Sequence, residues 1–304
     1  MKKLLFLASF CLFIQSSFAQ GASGFQFKVS KPYCIFNFME SAIQHHTTSS
    51  TLQRFVDEKT KTNKEFAKLC NEFAAIRLEY TYVRDEYPVN RRQSRTTFDL
   101  ISIALVNSST IDEFGQRIIG ILPNDETQKF LNILESAEGF YDQLIWNENE
   151  AKIVAQQKAL EPYAVQCSEN FSKIKQFYHS AWSSDIPFKV ALYPIPVASG
   201  STTATPYANS LCVGVLADET NHIARIGVVL HEMCHVLYDE QSAEFQHQLD
   251  SWFAENQSPY KPFAYNFFDE GLATALGNGW AFKNLSGKLD PEDWYDNEYI
   301  NGFA

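Results

Sequence analysis

The chain has 304 residues, 45% of them hydrophobic and 20% charged, and a formal net charge of −11. That length supports a sizeable core without a disulfide scaffold. The acidic balance excludes nucleic acid as a default partner and is accounted for by solubility.

The chain opens Met1-Lys2-Lys3, continues through an apolar run over residues 4–14, and leaves it by Gln15-Ser16-Ser17-Phe18-Ala19-Gln20. A charged start, a short apolar stretch and a small-residue exit form a secretory signal pattern. Residues 1–19 are therefore expected to be a signal peptide, and the mature protein to be exported, either periplasmic or secreted. The run is too short for a comfortable permanent span, and no other segment reads as transmembrane. Cys11 lies inside the run rather than just after the exit, so no lipid anchor is indicated. Loss of Lys2 and Lys3 removes two positive charges and takes the net charge from −11 to −13. Five cysteines then remain, Cys34, Cys70, Cys167, Cys212 and Cys234, an odd number scattered widely. They form no disulfide framework, and no bridge is assigned.

Residues 20–182 read as a helical region. Leu52, Phe55 and Val56 follow Ser49-Ser50 at helical spacing, and Phe66, Leu69, Cys70, Phe73 and Ile76 do so after Asn63, a suitable N-cap. Phe130, Leu134, Ala137, Tyr141 and Leu144 repeat the pattern after Pro123-Asn124-Asp125. No strand-like alternation interrupts residues 37–180, so this half is expected to be a helical bundle or cap.

The character changes at Ile186. Phe188-Lys189-Val190-Ala191-Leu192-Tyr193 and Leu211-Cys212-Val213-Gly214-Val215-Leu216 are strand candidates, and the expectation is a hairpin with a long loop. Pro194 and Pro196 should end the first strand or keep it at an edge. The Gly/Ser/Thr/Pro-rich link over residues 198–209 is flexible by composition. A long helical stretch follows Asp218 and runs to about Leu249. A proline-containing loop and a second helix over residues 263–276 come next, and Gly277-Asn278-Gly279 should stop that helix. Residues after Trp280 give no clear element. The expected fold is α+β and mostly helical.

The chemistry lies in Val228-Val229-Leu230-His231-Glu232-Met233-Cys234-His235-Val236-Leu237. Two histidines four apart on a helix project from one face, one turn apart, so both imidazoles can reach one ion. Glu232 follows the first histidine, which puts its carboxylate beside the metal rather than on it, positioned to take a proton from water. The helix around them is apolar and must be buried, and a shared cation satisfies the polar atoms of its histidines directly. Cys234 points away from the line joining the two rings and reads as a small buried hydrophobe. His222, His45 and His46 have no partners at metal-like spacing and are assigned no role.

This H-E-x-x-H run resembles the zincin metallopeptidases. The likeness covers roughly residues 186–280, implies Zn2+ as the cofactor and marks residues 183–304 as a zincin-like catalytic region. The metzincin subclass is excluded, because Tyr238 and Gln241 stand where its Gly and His would be. In the gluzincin pattern a glutamate on a later helix completes the site, and Phe267-Phe268-Asp269-Glu270-Gly271-Leu272 is similar to that helix, which implies Glu270 as third ligand. An inward carboxylate on an apolar helix also needs a cation or donors. Thr274 stands where thermolysin-like sequences have an Asp, so thermolysin itself is not a close relative. His247 is the competing ligand, rotated away from the ligand face unless the helix breaks near Asp239-Glu240. Asp269 is read as a group that orients His231 or His235 through a ring N–H. Tyr295 or Tyr299 is a candidate to stabilise the oxyanion, and residues 211–216 a candidate edge for an extended peptide. The implied activity is hydrolysis of peptide bonds, with Glu232 as general base and a peptide or protein substrate. The alternative is a zinc-binding, non-catalytic module whose helical half engages a protein partner.

Overall fold

The computed structural model describes residues 24–81, 95–183, 185–292 and 294–304, and the expected signal peptide lies outside them. Four strands make one mixed sheet: β1 (Phe25–Val29), β2 (Phe188–Ile195), β3 (Ala204–Tyr207) and β4 (Ser210–Leu216), in the order β1-β2-β4-β3. Along β2 the side chains of Phe188, Val190 and Leu192 join one core while Ala191, Tyr193 and Ile195 join another on the opposite face. This alternation fixes the register, because a one-residue slip would put Lys189 where Phe188 is buried. Each fully buried Phe or Leu contributes about 1.5–3 kcal/mol relative to exposure.

Helices cover both faces. On one side lie α1 (Lys31–Ala42), α2 (Ser50–Thr60), α3 (Lys64–Ala74), α4 (Thr97–Val106), α5 (Ile111–Arg117) and α6 (Asn124–Tyr141), which bury Phe36, Phe38, Leu52, Phe66 and Phe130 in the first core. The expected starts are present: Ser49 accepts from Thr51 N and Leu52 N to cap α2, and Asn63 accepts from Phe66 N to cap α3. On the other side lie α7 (Asn147–Leu160), α8 (Ala164–Phe177) and α9 (His222–Asp239). Phe171 of α8 and Ile226, Val229, Leu230 and Met233 of α9 pack there with Phe25 and Phe27 of β1. The architecture is α+β and mostly helical, as composition and pattern indicate.

Several local expectations are corrected. The two strand candidates do not form a hairpin: β2 and β4 run parallel, Val190 facing Leu211 and Leu192 facing Val213. The antiparallel partner of β4 is β3, which the polar link supplies, joined by a tight Ala208-Asn209 turn in which Ala208 has φ 51°. The link is thus part of the sheet, and β4 is an inner strand whose edge is covered by β3. Pro194 is tolerated inside β2 because β1 ends at Val29 opposite Leu192, so no neighbour on that side asks for its missing N–H. β1 pairs in parallel with a strand some 160 residues away, which no local pattern announces.

The long helix breaks at residues 240–242. There α9 ends, and α10 (Ala243–Glu255) begins under an N-cap from Ser242 to Phe245 N. The next helix, α11 (Lys261–Ala273), does not stop at Gly277-Asn278-Gly279 but widens into a π-helix (Thr274–Ala281) and continues as α12 (Phe282–Ser286), while α13 (Glu298–Phe303) lies near the C-terminus. The cysteines among the described residues, Cys34, Cys70, Cys167, Cys212 and Cys234, are unpaired. Among the described residues no helix is long and apolar enough to cross a membrane.

Candidate metal centre

Helix α9 is buried along most of its length, from Arg225 through Tyr238, because its apolar side chains meet the sheet on one side and the α11 and π-helix segment on the other. Asn221 starts it by accepting from Ala224 N. Its third and fourth turns carry His231 and His235 into a cleft of about 520 Å³ lined also by Glu232, Glu270, Asn278, Tyr295 and residues 201–204. A larger hollow of about 760 Å³, lined by Phe263, Phe267, Tyr299 and Phe303 among others, holds no group of convergent titratable side chains. The chemistry is concentrated in the smaller cleft.

Three donors converge there. His231 Nε2 is 3.0 Å from Glu270 Oε1, His235 Nε2 is 3.5 Å from Glu270 Oε2, and the two Nε2 atoms are 3.0 Å apart. His231, His235 and Glu270 form a group that could hold a metal ion, their candidate ligand atoms all within 4.8 Å of one another. The far ring nitrogens are held as well. His235 Nδ1 donates to Asp269 Oδ2 at 2.9 Å, and His231 Nδ1 donates to Asn278 Oδ1 at 2.9 Å. With both Nδ1 atoms carrying the proton, both Nε2 lone pairs face the shared point. Two imidazole lone pairs and a carboxylate this close require a positive charge among them, either a proton on one ring or a metal cation. The donor set therefore fits a cation.

The electrostatics agree. Burial alone would lower the His235 pKa, but the Asp269 hydrogen bond and the Asp269, Glu232 and Glu270 charges raise it to about 9. Burial alone would raise the Glu270 pKa, but hydrogen bonds and charge from the two histidines, helped by a hydrogen bond from Tyr295, lower it. Glu232 is 8% exposed, and burial holds its pKa above the ordinary carboxylate value, partly countered by the two histidines.

Asn278 has no counterpart in the sequence reading, which took Gly277-Asn278-Gly279 as a helix stop. A π-turn is wider than an α-turn and inserts a residue, which re-aims the side chains that follow, and such turns recur at functional sites. Here it swings Asn278 onto His231. The close approach depends on Gly277: a Cβ there would lie 2.4 Å from His231 N and 2.5 Å from His231 Cα. Gly227 on α9 meets the carbonyl of Gly277 in the same crossing.

Two further walls shape the cleft. The Tyr295 ring lies nearly parallel to the His231 ring, at 11° with centroids 6.3 Å apart, whereas Tyr299 is 70% exposed and lines the other hollow. Of the two oxyanion candidates only Tyr295 lines the cleft. Thr202 is held by Arg225 Nη1 at 3.2 Å, and Arg225 is in turn held by Glu219 through bonds of 2.8 and 2.6 Å. Ser201 is tied to the start of α2, with Thr51 Oγ1 accepting from its N–H at 2.9 Å and Ser49 Oγ donating to its carbonyl at 2.6 Å. The N-terminal helices thereby hold one wall of the site.

The remaining candidates fall elsewhere. His247 is exposed on α10, outside the donor group, although the helix breaks where its candidacy required. Cys234 is fully buried and does not line the cleft. His222 bonds Gln156 Oε1 at 2.9 Å, and His45 bonds Thr47 Oγ1 at 2.8 Å and packs at a tilt of 43° against His46. The edge facing the cleft belongs to β3, whose Ala204 lines it, and not to residues 211–216. Comparison with family models, curated proteins and solved structures finds no match to this chain.

Proposed function

We propose that this chain is an exported, zinc-dependent peptidase in which His231, His235 and Glu270 hold the metal and Glu232 is the proton-transferring base. The observation that carries this reading is the convergence of two imidazole nitrogens and one carboxylate in a cleft, 3.0–3.5 Å apart, beside a buried glutamate. Two nitrogens and an oxygen from three side chains match the set that catalytic zinc uses when it keeps one position for water or substrate. When bound, zinc supplies a water of near-neutral pKa and polarises a substrate carbonyl.

The chain's own residues supply the rest. Glu232 takes the proton of the attacking water and passes it to the leaving amine, a task served by a carboxylate whose pKa burial has moved toward neutrality. Asp269 and Asn278 keep the two rings in the tautomer that leaves both Nε2 atoms free. The Tyr295 side chain lines the cleft with Glu270, and its hydroxyl is the group available to donate to a carbonyl oxygen gaining negative charge. An extended peptide pairs along the β3 edge at Ala204 and stops at Pro206, which has no N–H to offer. The secretory signal pattern read over residues 1–19 supports an activity outside the cytoplasm.

Glu232→Gln tests this. The variant should retain one zinc per chain and lose hydrolysis of a fluorogenic peptide mixture by about 10²–10⁴-fold. Undiminished hydrolysis would remove Glu232 from the mechanism. Stoichiometric zinc in the wild type with no cleavage of any peptide library would favour the non-catalytic module instead.

A further inference from the structure

Residues 201–204 line the cleft with His231, Glu232 and Glu270, and each of the first three is anchored to a different part of the fold. Thr203 O accepts from the Tyr193 hydroxyl of β2 at 2.9 Å and from Gly214 N of β4 at 2.9 Å. Thr202 Oγ1 accepts from Arg225 Nη1 of α9 at 3.2 Å. Ser201 is anchored to the start of α2, and this contact engages all of its polar groups. Its N–H donates to Thr51 Oγ1 at 2.9 Å, its carbonyl accepts from Ser49 Oγ at 2.6 Å, and its hydroxyl lies 3.0 Å from Ser50 Oγ and 3.2 Å from Thr51 Oγ1. Ser49 is also the N-cap of α2, so one hydroxyl both starts the helix and holds the wall. Gly200 lets the chain lie this close: its φ is 138°, and a Cβ there would stand 2.5 Å from Thr51 Oγ1.

Of these anchors, only the one at Ser201 comes from outside residues 183–304, which carry His231, His235, Glu270 and Glu232. Ser49 and Thr51 are buried, whereas Ser201 is exposed, and water would satisfy its polar groups if the contact were absent. Such bonds add little to stability, and what they fix is position. We propose that Ser49, Ser50 and Thr51 are positioning residues for the substrate: by gripping Ser201 they set the distance between the β3 edge, along which an extended peptide pairs, and the metal centre. The helical N-terminal region thereby takes part in the activity instead of serving a separate partner. Pairing along a strand edge is made alike in the ground and transition states, so weakening it raises KM and leaves kcat unchanged. The proposal rests on the peptidase reading above.

The test is Thr51→Val, which keeps the shape of the side chain and removes the hydroxyl that accepts from Ser201. For an octapeptide substrate, long enough to lie along β3, KM should rise about three- to tenfold with kcat and zinc content unchanged. The penalty should shrink as the peptide is shortened toward a tetrapeptide, which no longer spans the edge. Thr51→Ser, which restores the hydroxyl, should return the octapeptide KM to the wild-type value. An unchanged KM, a penalty equal at every length, or a loss confined to kcat would overturn the proposal, since a general structural defect has no reason to follow peptide length. A second readout needs neither metal nor turnover: in the chelator-treated protein, amide hydrogen exchange over residues 201–204, followed by mass spectrometry, should quicken in Thr51→Val and be restored in Thr51→Ser. Unchanged exchange there would equally overturn the proposal. A wild type that cleaves no peptide would defeat the peptidase reading, and the exchange comparison would then still decide whether α2 holds this wall.

Discussion

The same chemical change, one methyl group on a helical glycine, should have opposite effects at Gly277 and Gly139. At Gly277 a Cβ would sit 2.4 Å from His231 N and 2.5 Å from His231 Cα. Carbon contacts are comfortable at about 3.5–4.0 Å, so the π-helix and α9 would have to part by roughly 1 Å. Backbone atoms cannot step aside as the end of a side chain can. Overpacking of this kind costs about 1–3 kcal/mol, which outweighs a helix-propensity gain of at most about 1 kcal/mol. The displacement also draws Asn278 away from His231 Nδ1, and loss of such an outer partner costs about 10–100-fold in metal affinity. At Gly139, inside α6, nothing lies within 4 Å of the added carbon. There the propensity gain stands alone and should stabilise by about 0.5–1 kcal/mol. Urea unfolding of the chelator-treated proteins measures both stabilities, and chelator competition measures zinc affinity for Gly277→Ala. If Gly277→Ala is as stable as wild type and binds zinc equally, the packing argument for Asn278 is wrong.

Two further predictions concern buried charges away from the ligands. Burial raises the Glu40 pKa from 4.5 to about 7, and the nearby His45 ring, 3.0 Å away, has its own pKa lowered by burial and by His46, so it does not offset the charge. With the folded value above the unfolded one, the stabilising contribution of Glu40 is complete below about pH 4.5 and is lost as pH rises through about 7, a swing of about 3 kcal/mol. Glu40→Gln should therefore be more stable than wild type at pH 8, with the gap closing toward pH 5. Equal pH profiles in urea unfolding would contradict this. Glu219→Ala should cost about 3–5 kcal/mol, because Arg225 and Glu219 have side chains only 9% and 11% exposed and removal of one leaves the other charge unpaired. A loss under about 1 kcal/mol would show that water reaches the guanidinium freely.

What could be read from the sequence was local. His231, Glu232 and His235 announce themselves by spacing within one apolar helix, and Ser49 and Asn63 announce helix starts by the chemistry of the cap. Glu270 was legible from a family likeness together with its place on an apolar helix. The parts that could not be read depend on distant partners or on a break in periodicity. β1 has too few residues to declare itself and gains its meaning from β2. The parallel pairing of β2 with β4 depends on β3, which is drawn from a segment that looks like a linker. Asn278 was hidden because Gly-Asn-Gly usually ends a helix, whereas here the glycines serve the close crossing with α9 and the helix runs on. The 240–242 break was foreseen only as a condition on His247.

The most direct measurement is metal content by mass spectrometry of the purified wild-type chain beside Glu270→Ala and a His231→Ala/His235→Ala double variant, each shown to be folded by circular dichroism. The account predicts one zinc per wild-type chain, none in the double variant, and a fraction easily stripped by chelator in Glu270→Ala. A folded wild type that takes up no zinc, or variants that retain it in full, would contradict the assignment of these three side chains as the metal's ligands.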